Sequence, residues 1–311
     1  MTASYKLPKS VLLREDGPRE GFQMHPEVVG TDKKLDLIRM LSQTGVKSIE
    51  VTSFVRPDLI PQLADSESVA SQLTPVPGVR YRALYLNEKG LDRASSFSSL
   101  SPEGYLLFAV SETFLRRNNN TSTDEALSRI PSWLKALARH KLPLERVMIS
   151  TAFGDHDEGK FSATKTMLLV KRVIELLARE GSKLPELTFA DTTGFANPES
   201  VKRLLNTFRS AYPEIIVGLH LHDTRGTGIA NVYAGLECGV DRFDCSVGGM
   251  GGCPFAKGAS GNVCTEDVAY LCEELGIDTG INLKQYVECA RLAEQILGRK
   301  LPGKLKDAFL P

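Results

Sequence analysis

The sequence contains no apolar run approaching the roughly 20 residues that cross a bilayer as a helix, which argues against a helical membrane protein. It has no excess of either charge: Lys plus Arg and Asp plus Glu each number 38 in 311 residues. That balance points neither to nucleic acid nor to an anionic membrane surface as a partner. Residues 1–10 have no apolar stretch and no Arg-rich amphipathic pattern, so no secretion or transit signal is expected and the cytoplasm is the expected compartment. The six cysteines fall between Cys238 and Cys289 without a C-x-x-C pair, so reduced thiols are expected rather than a disulfide framework. A Gly-rich dinucleotide turn is also missing, because Gly17 and Gly21 do not form G-x-G-x-x-G after the first apolar run. Low-complexity segments and clear repeats are absent.

What is present is alternation. Short apolar, often β-branched runs at 11–14, 46–53, 80–86, 104–110, 146–152, 187–190, 215–222 and 242–246 read as strands. Helical patterns follow at 27–41, 66–73, 122–139, 163–179, 198–210, 228–237, 265–275 and 283–297. Strands that alternate with helices in this way predict an α/β protein, specifically a (β/α)8 TIM barrel. A doubly wound open sheet is the rival, disfavoured by the missing glycine turn. The expected organisation is a single domain over 1–311, with the barrel at about 10–280 and a C-terminal helical extension at about 281–311.

A barrel puts its chemistry at the strand C-termini, and the polar residues comply. The run IIVGLHLHD at 215–223 carries His220 and His222 two residues apart, on one face if extended. Two neutral imidazoles there could hold one divalent ion, or be two satisfied histidines at a strand end. Glu20 and Asn262 are candidates to complete an ion's ligand set, although Glu20 by itself reads more readily as a solvated loop acid. Arg19 reads as an anion stabiliser or a surface ion-pair partner. Strand two offers Glu50, Thr52 and Ser53, strand four Ser111–Glu112, and strand six Asp191–Thr192–Thr193–Gly194. Cys253 sits in GGMGGCPFAKGASGN at 248–262, and so glycine-rich a connection predicts a mobile loop that closes over a ligand. Lys257 within it could face a phosphate-bearing substrate. His25 and His140 read as structural or surface residues, and His156 as a loop residue after strand five. Cys238, Cys272 and Cys289, in helical patterns, read as buried hydrophobes.

These residues together resemble the 3-hydroxy-3-methylglutaryl-CoA lyase family, metal-dependent barrels related to isopropylmalate synthase. The resemblance rests on EDGPREGFQ (15–23), IEVTSFV (49–55), PQLAD (61–65), SE (111–112), DTTG (191–194), HLHDT (220–224) and the loop 249–262, in order through nearly the whole chain. It implies a lyase of leucine breakdown that cleaves a carboxylate-bearing 3-hydroxyacyl-CoA by a retro-Claisen step to acetyl-CoA and a keto acid, acetoacetate for the usual substrate. It implies Glu20, His220, His222 and Asn262 as ligands of a divalent metal, Mg2+ or Mn2+. Arg19 would stabilise the thioester enolate, Glu50 would hold Arg19, and Cys253 would protonate the carbanion, with His220 also in the catalytic group. Glu15, Ser53, Asp191, Thr192, Lys257, Asp267 and Lys300 would support substrate and site. A homo-oligomer, dimer or tetramer, is expected.

The chain departs from that pattern at three places. Glu20 stands where the family has Asp. Residues 153–157 (FGDHD) form a more charged loop than the familiar one. Gly298 replaces a frequent Asn, while Lys300 is kept. The tail cysteine of some eukaryotic members is missing. The first two departures motivate a runner-up reading, a lyase for another 3-hydroxyacyl-CoA such as a citramalyl-CoA or a longer-chain 3-hydroxyglutaryl-CoA. A condensing synthase is disfavoured by Cys253–Pro254, and a non-catalytic barrel that only binds CoA or metal is supported by Glu20 alone.

Overall fold

A computed structural model describes residues 6–252 and 261–308. Cys253 and Lys257 lie outside the described residues. The strands that carry the alternation are β1 (Leu12–Glu15), β2 (Ser48–Ser53), β3 (Arg80–Leu84), β4 (Tyr105–Ala109), β5 (Arg146–Ser150), β6 (Glu186–Ala190), β7 (Ile216–His220) and β8 (Arg242–Cys245). They fall into two compact units, one spanning 9–102 and 242–311 and the other spanning 1–8 and 103–241.

The first unit holds four strands in the order β3-β2-β1-β8, every pair parallel. All six residues of β2 are buried, as expected of a parallel strand covered on both faces. Its register against β3 shifts between Glu50 and Thr52, an irregularity of the kind that re-aims side chains near active sites. Helices Thr31–Ser42 and Leu283–Leu297 supply Leu37, Ile38, Leu41, Tyr286, Cys289 and Ala290 to a core shared with Ile49, Val51 and Phe22.

The second unit holds β7-β6-β5-β4, again all parallel. Val147, Ile149, Leu187 and Phe189 are buried on its strands. The helices Ala163–Arg179 and Pro198–Ala211 bury Val170, Val173, Leu177, Leu205 and Phe208. Each of these helices starts at a side-chain cap: Ser162 accepts from Lys165 N, and Asn197 shares a capping box with Ser200. A short antiparallel pair, Gly154–Asp155 with Gly159–Lys160, follows β5.

Several expected elements are corrected. The helix expected over 27–41 starts at Thr31, because Pro26 and the extended Gly30 precede it, and a separate helix occupies Gly17–Gln23. The helix expected over 122–139 is two helices, Thr123–Ser128 and Ile130–Arg139, divided at Arg129; Pro131 lacks the N–H that a continuous helix would need. Short helices Glu88–Ser95 and Glu112–Asn119 were not expected. The strand expected over 215–222 ends at His220, two residues before His222. No helix among the described residues is long and apolar enough to cross a membrane.

Candidate active site

In the 103–241 unit the chemistry collects at the strand C-termini. Leu219 is buried in β7, and His220 and His222 are both nearly inaccessible. Their Nε2 atoms face each other at 3.2 Å. Two nitrogens that each bond a divalent ion at about 2.1 Å would stand roughly 3 Å apart if they were adjacent ligands, so the pair fits one ion. Next to His220 along the sheet, Asp191 N donates to His220 O at 2.8 Å. The Asp191 carboxylate accepts from Phe195 N (2.7 Å) and Ala196 N (3.1 Å) and so fixes its own loop. Burial pushes this carboxyl up to about 6 against those hydrogen bonds. Thr192 Oγ1 accepts from Thr151 N at 3.0 Å. Thr151 has φ +51°, a rare conformation for a β-branched residue, and its hydroxyl accepts from Ser111 N at 3.0 Å.

The FGDHD segment turns through the short hairpin. Asp155 is buried and accepts from Asp157 N at 2.9 Å. His156 lies on the surface, edge-on to Phe195 at 5.4 Å, and Arg225 lies over the same ring at 4.4 Å. Glu158 joins the ends of β4 and β5 by accepting from Ser111 Oγ, Thr113 N and Lys165 Nζ.

The other unit carries the acids and the cation. Arg19 donates from Nε to Glu50 Oε2 at 2.5 Å and pairs with Glu20 Oε1 at 2.8 Å. Burial works against its charge, but Glu20, Glu50 and Asp16 outweigh burial and raise the pKa above its already high ordinary value. Arg19 is therefore a permanent cation held by two carboxylates rather than a loose surface pair. Asn262 Nδ2 donates to Glu20 Oε2. Asn262 is almost wholly buried, and its Oδ1 has no hydrogen-bond partner among the described residues. A buried carbonyl oxygen left in this state is costly and suits a hard cation. Ser53 Oγ is likewise buried without a partner. Gly251, at φ +101°, lies against this group: a Cβ there would come within 3.2 Å of Glu20 and 3.1 Å of Asn262 Nδ2.

Glu15 is fully buried at the end of β1. It accepts from Gly17 N (2.7 Å), Val247 N (2.9 Å), Thr265 Oγ1 (2.7 Å) and Tyr286 OH, and so ties the turn at Val247 to the helices Gly17–Gln23, Thr265–Glu274 and Leu283–Leu297. Burial raises its pKa despite these donors. Asp267 accepts from Lys304 N and Leu305 N, and Lys300 is exposed and pairs with Asp307 at 3.2 Å. Among the expected residues of this unit, Arg19, Glu20, Glu50 and Asn262 are therefore joined directly, while Asp267, on the helix Thr265–Glu274, anchors the C-terminal segment that carries Lys300. The five described cysteines are free and buried, which for Cys238, Cys272 and Cys289 is what their helical patterns implied.

Sequence reasoning missed Arg82 and Asp16. Arg82 is buried and pairs with Asp16 at 2.6 Å and with Glu50 at 3.7 Å. Burial pushes Asp16 up to about 7 in spite of Arg82. The available signal was a second arginine, Arg82, between Tyr81 and Ala83 inside the strand run RYRAL.

A family profile described as HMGL-like matches residues 11–293. The chain belongs to the HMGL-like family. It is 36% identical over 302 residues to the hydroxymethylglutaryl-CoA lyase YngG of Bacillus subtilis, with 97% of this chain and 98% of the relative covered. It is 37% identical over 302 residues to the mitochondrial hydroxymethylglutaryl-CoA lyase of Homo sapiens, covering 97% and 90%. A solved HMG-CoA lyase from B. subtilis superposes with a TM-score of 0.88 at 35% identity, over 97% of this chain and 99% of that one. An HMG-CoA lyase from A. baumannii, in complex with coenzyme A and 3-methylmalate, superposes at 0.85 with 37% identity, over 96% and 95%. The family's fold class, an α/β TIM barrel, is accordingly that of this chain, as the strand-helix alternation predicted.

Proposed function

We propose that this chain catalyses the divalent-metal-dependent retro-Claisen cleavage of 3-hydroxy-3-methylglutaryl-CoA to acetyl-CoA and acetoacetate. The observation that carries the reading is the paired Nε2 atoms of His220 and His222, 3.2 Å apart, in a chain related along 97% of its length to proteins named hydroxymethylglutaryl-CoA lyases. The ligands of the ion would be His220, His222, Glu20 and Asn262. Two imidazoles, a carboxylate and an amide oxygen suit Mg2+ or Mn2+. Bound there, such an ion would lower the pKa of the tertiary hydroxyl.

The chain's own side chains account for the remaining steps. The hydroxyl proton passes to solvent water, its oxygen becomes the ketone of acetoacetate, and the broken C–C pair becomes the enolate of acetyl-CoA. Arg19 supplies positive charge where the thioester oxygen becomes negative, and Glu50 fixes its direction; such preorganised charge is worth most in the transition state. Cys253 donates the proton that converts the enolate carbon to a methyl group. His220 stands at the hydroxyl end of this path. Ser53, Asp191, Thr192 and Glu15 hold the acyl site, and Lys257, Asp267 and Lys300 serve the CoA side. Cys253→Ala is expected to lower kcat by about 10²-fold or more with metal content unchanged; full activity would remove the thiol from the mechanism.

We read 1–311 as one catalytic domain, since the family match runs from 11 to 293. We place it in the cytoplasm, in leucine breakdown, as a homo-oligomer. A second reading has its own support: the charged 154–158 hairpin buries Asp155 at the end of β5, which favours a related 3-hydroxyacyl-CoA. An acyl-CoA panel with products identified by mass spectrometry separates the two. Highest kcat/KM on 3-hydroxy-3-methylglutaryl-CoA supports the first reading, and cleavage of citramalyl-CoA or a longer homologue in its place supports the second.

A further inference from the structure

Beyond the helix Leu283–Leu297 the chain turns at Gly298, φ +62°, and runs back along the loop that follows β8. Two acids tie it down. Glu294 Oε1 accepts from Leu301 N at 2.7 Å and from Lys306 Nζ at 3.0 Å. Asp267 accepts from Lys304 N and Leu305 N at 2.9 and 2.8 Å. Lys306 is fully buried, and Arg291 donates to its carbonyl at 3.0 Å. A buried ion pair is weak evidence for stability, and its best-attested use is to fix register.

What this register fixes is the glycine turn at 248–249. Gly303 N donates to Gly248 O at 3.0 Å. A Cβ on Gly248 would lie 2.5 Å from Leu301 Cδ1, and one on Gly249 would lie 2.9 Å from Pro302 Cγ. Both glycines have positive φ, +64° and +71°, so the turn is held in a left-handed shape with the segment packed directly on it. From its other side the turn is held by Gly248 N donating to Glu266 Oε2 at 3.1 Å, and Ser246 Oγ donates to Met250 O at 2.6 Å. The turn leads through Met250 and Gly251 into the segment that carries Cys253.

We propose that residues 298–308 form a strap that positions the 248–249 turn for the carbon-protonation step, with Leu301 and Glu294 as its positioning residues. The proposal rests on the lyase reading for its rate effect, but not for its geometry. Neither residue needs to touch the substrate; each acts through the turn.

The test uses the full chain loaded with Mn2+. Leu301→Ala and Glu294→Gln are expected to lower kcat about tenfold, since small displacements of catalytic groups are expensive, with KM and Mn2+ content unchanged when assayed well below each variant's Tm. The volume-conserving Leu301→Met should restore most of kcat. The rate of Cys253 alkylation by iodoacetamide should change at least about threefold in the two impaired variants; the other five thiols are buried and do not compete. A lowered Tm with wild-type kcat and wild-type alkylation rate would overturn the strap's positioning role and leave it a structural tail. If Leu301→Ala does not fold, Glu294→Gln decides the matter alone. If the wild-type chain cleaves no acyl-CoA, the lyase reading fails, and the alkylation rates still decide whether the strap positions the turn.

Discussion

Asn262 shows how far single residues can be read. The sequence offered it as a candidate to complete an ion's ligand set at the end of a glycine-rich loop, and the structure adds a buried Oδ1 without a partner among the described residues. Asn262→Ala is expected to weaken Mn2+ binding by on the order of 10²-fold, measured by equilibrium dialysis, while the fold persists. The i, i+2 spacing of the histidine pair put both on one face of an extended run, but by itself it left a metal site and two satisfied histidines equally open. The Asp16–Arg82 pair was not legible, because its partners lie 66 residues apart and no local pattern joins them. Two acids carry opposite pH signatures. Burial would raise the Glu158 carboxyl, but hydrogen bonds from Lys165, Ser111 and Thr113 outweigh it and hold it at about 2 against an ordinary 4.5. Its stabilisation is present above about pH 4.5 and lost as pH falls towards 2. Glu158→Gln should therefore be less stable than wild type at pH 7, with the gap closing in that window of a pH-dependent Tm series. Glu266 is the reverse: burial pushes it from 4.5 to about 7. The folded state keeps a proton that the unfolded chain has released, so its contribution falls as pH rises from 4.5 to 7. Glu266→Gln should flatten that part of the Tm profile relative to wild type, and a profile parallel to wild type would refute the assignment.

At the scale of elements, boundaries were legible where end signals were strong. The helices Ala163–Arg179, Gly228–Glu237 and Leu283–Leu297 were expected at those bounds; Ser162 and Asn282 cap the first and last. The misses have local causes. Gly17–Pro18 reads as a loop, yet proline is well placed in a helix's first turn, where its missing N–H costs nothing. The apolar pattern across 122–139 carries no mark of the break at Arg129, where one helix ends and the next begins. Gly298 gives an element-level test. Its φ is +62° and a Cβ there would meet nothing within 4 Å, so the cost of a substitution is backbone strain rather than a clash. Gly298→Ala should destabilise by about 1 kcal/mol in chemical denaturation, and Gly298→Asn by less, since Asn tolerates the left-handed region.

For the whole molecule, the fold class was legible because strands buried on both faces must alternate with covering helices, and that alternation survives in a single sequence. The site was legible in part, because a barrel sends its polar strand ends to one face. The identity of the acyl group was not, since it depends on packing around loops such as 153–158 rather than on any periodic signal. The claim that binds fold, site and family is metal-dependent carbon–carbon cleavage. It is tested most directly by incubating the purified chain with 3-hydroxy-3-methylglutaryl-CoA after chelation and again after adding back Mn2+ or Mg2+, and quantifying acetyl-CoA and acetoacetate. The account expects no products after chelation and equal amounts of both on adding back metal, with His222→Ala inactive throughout. Products undiminished by chelation, or none from metal-loaded protein with any 3-hydroxyacyl-CoA offered, would contradict it.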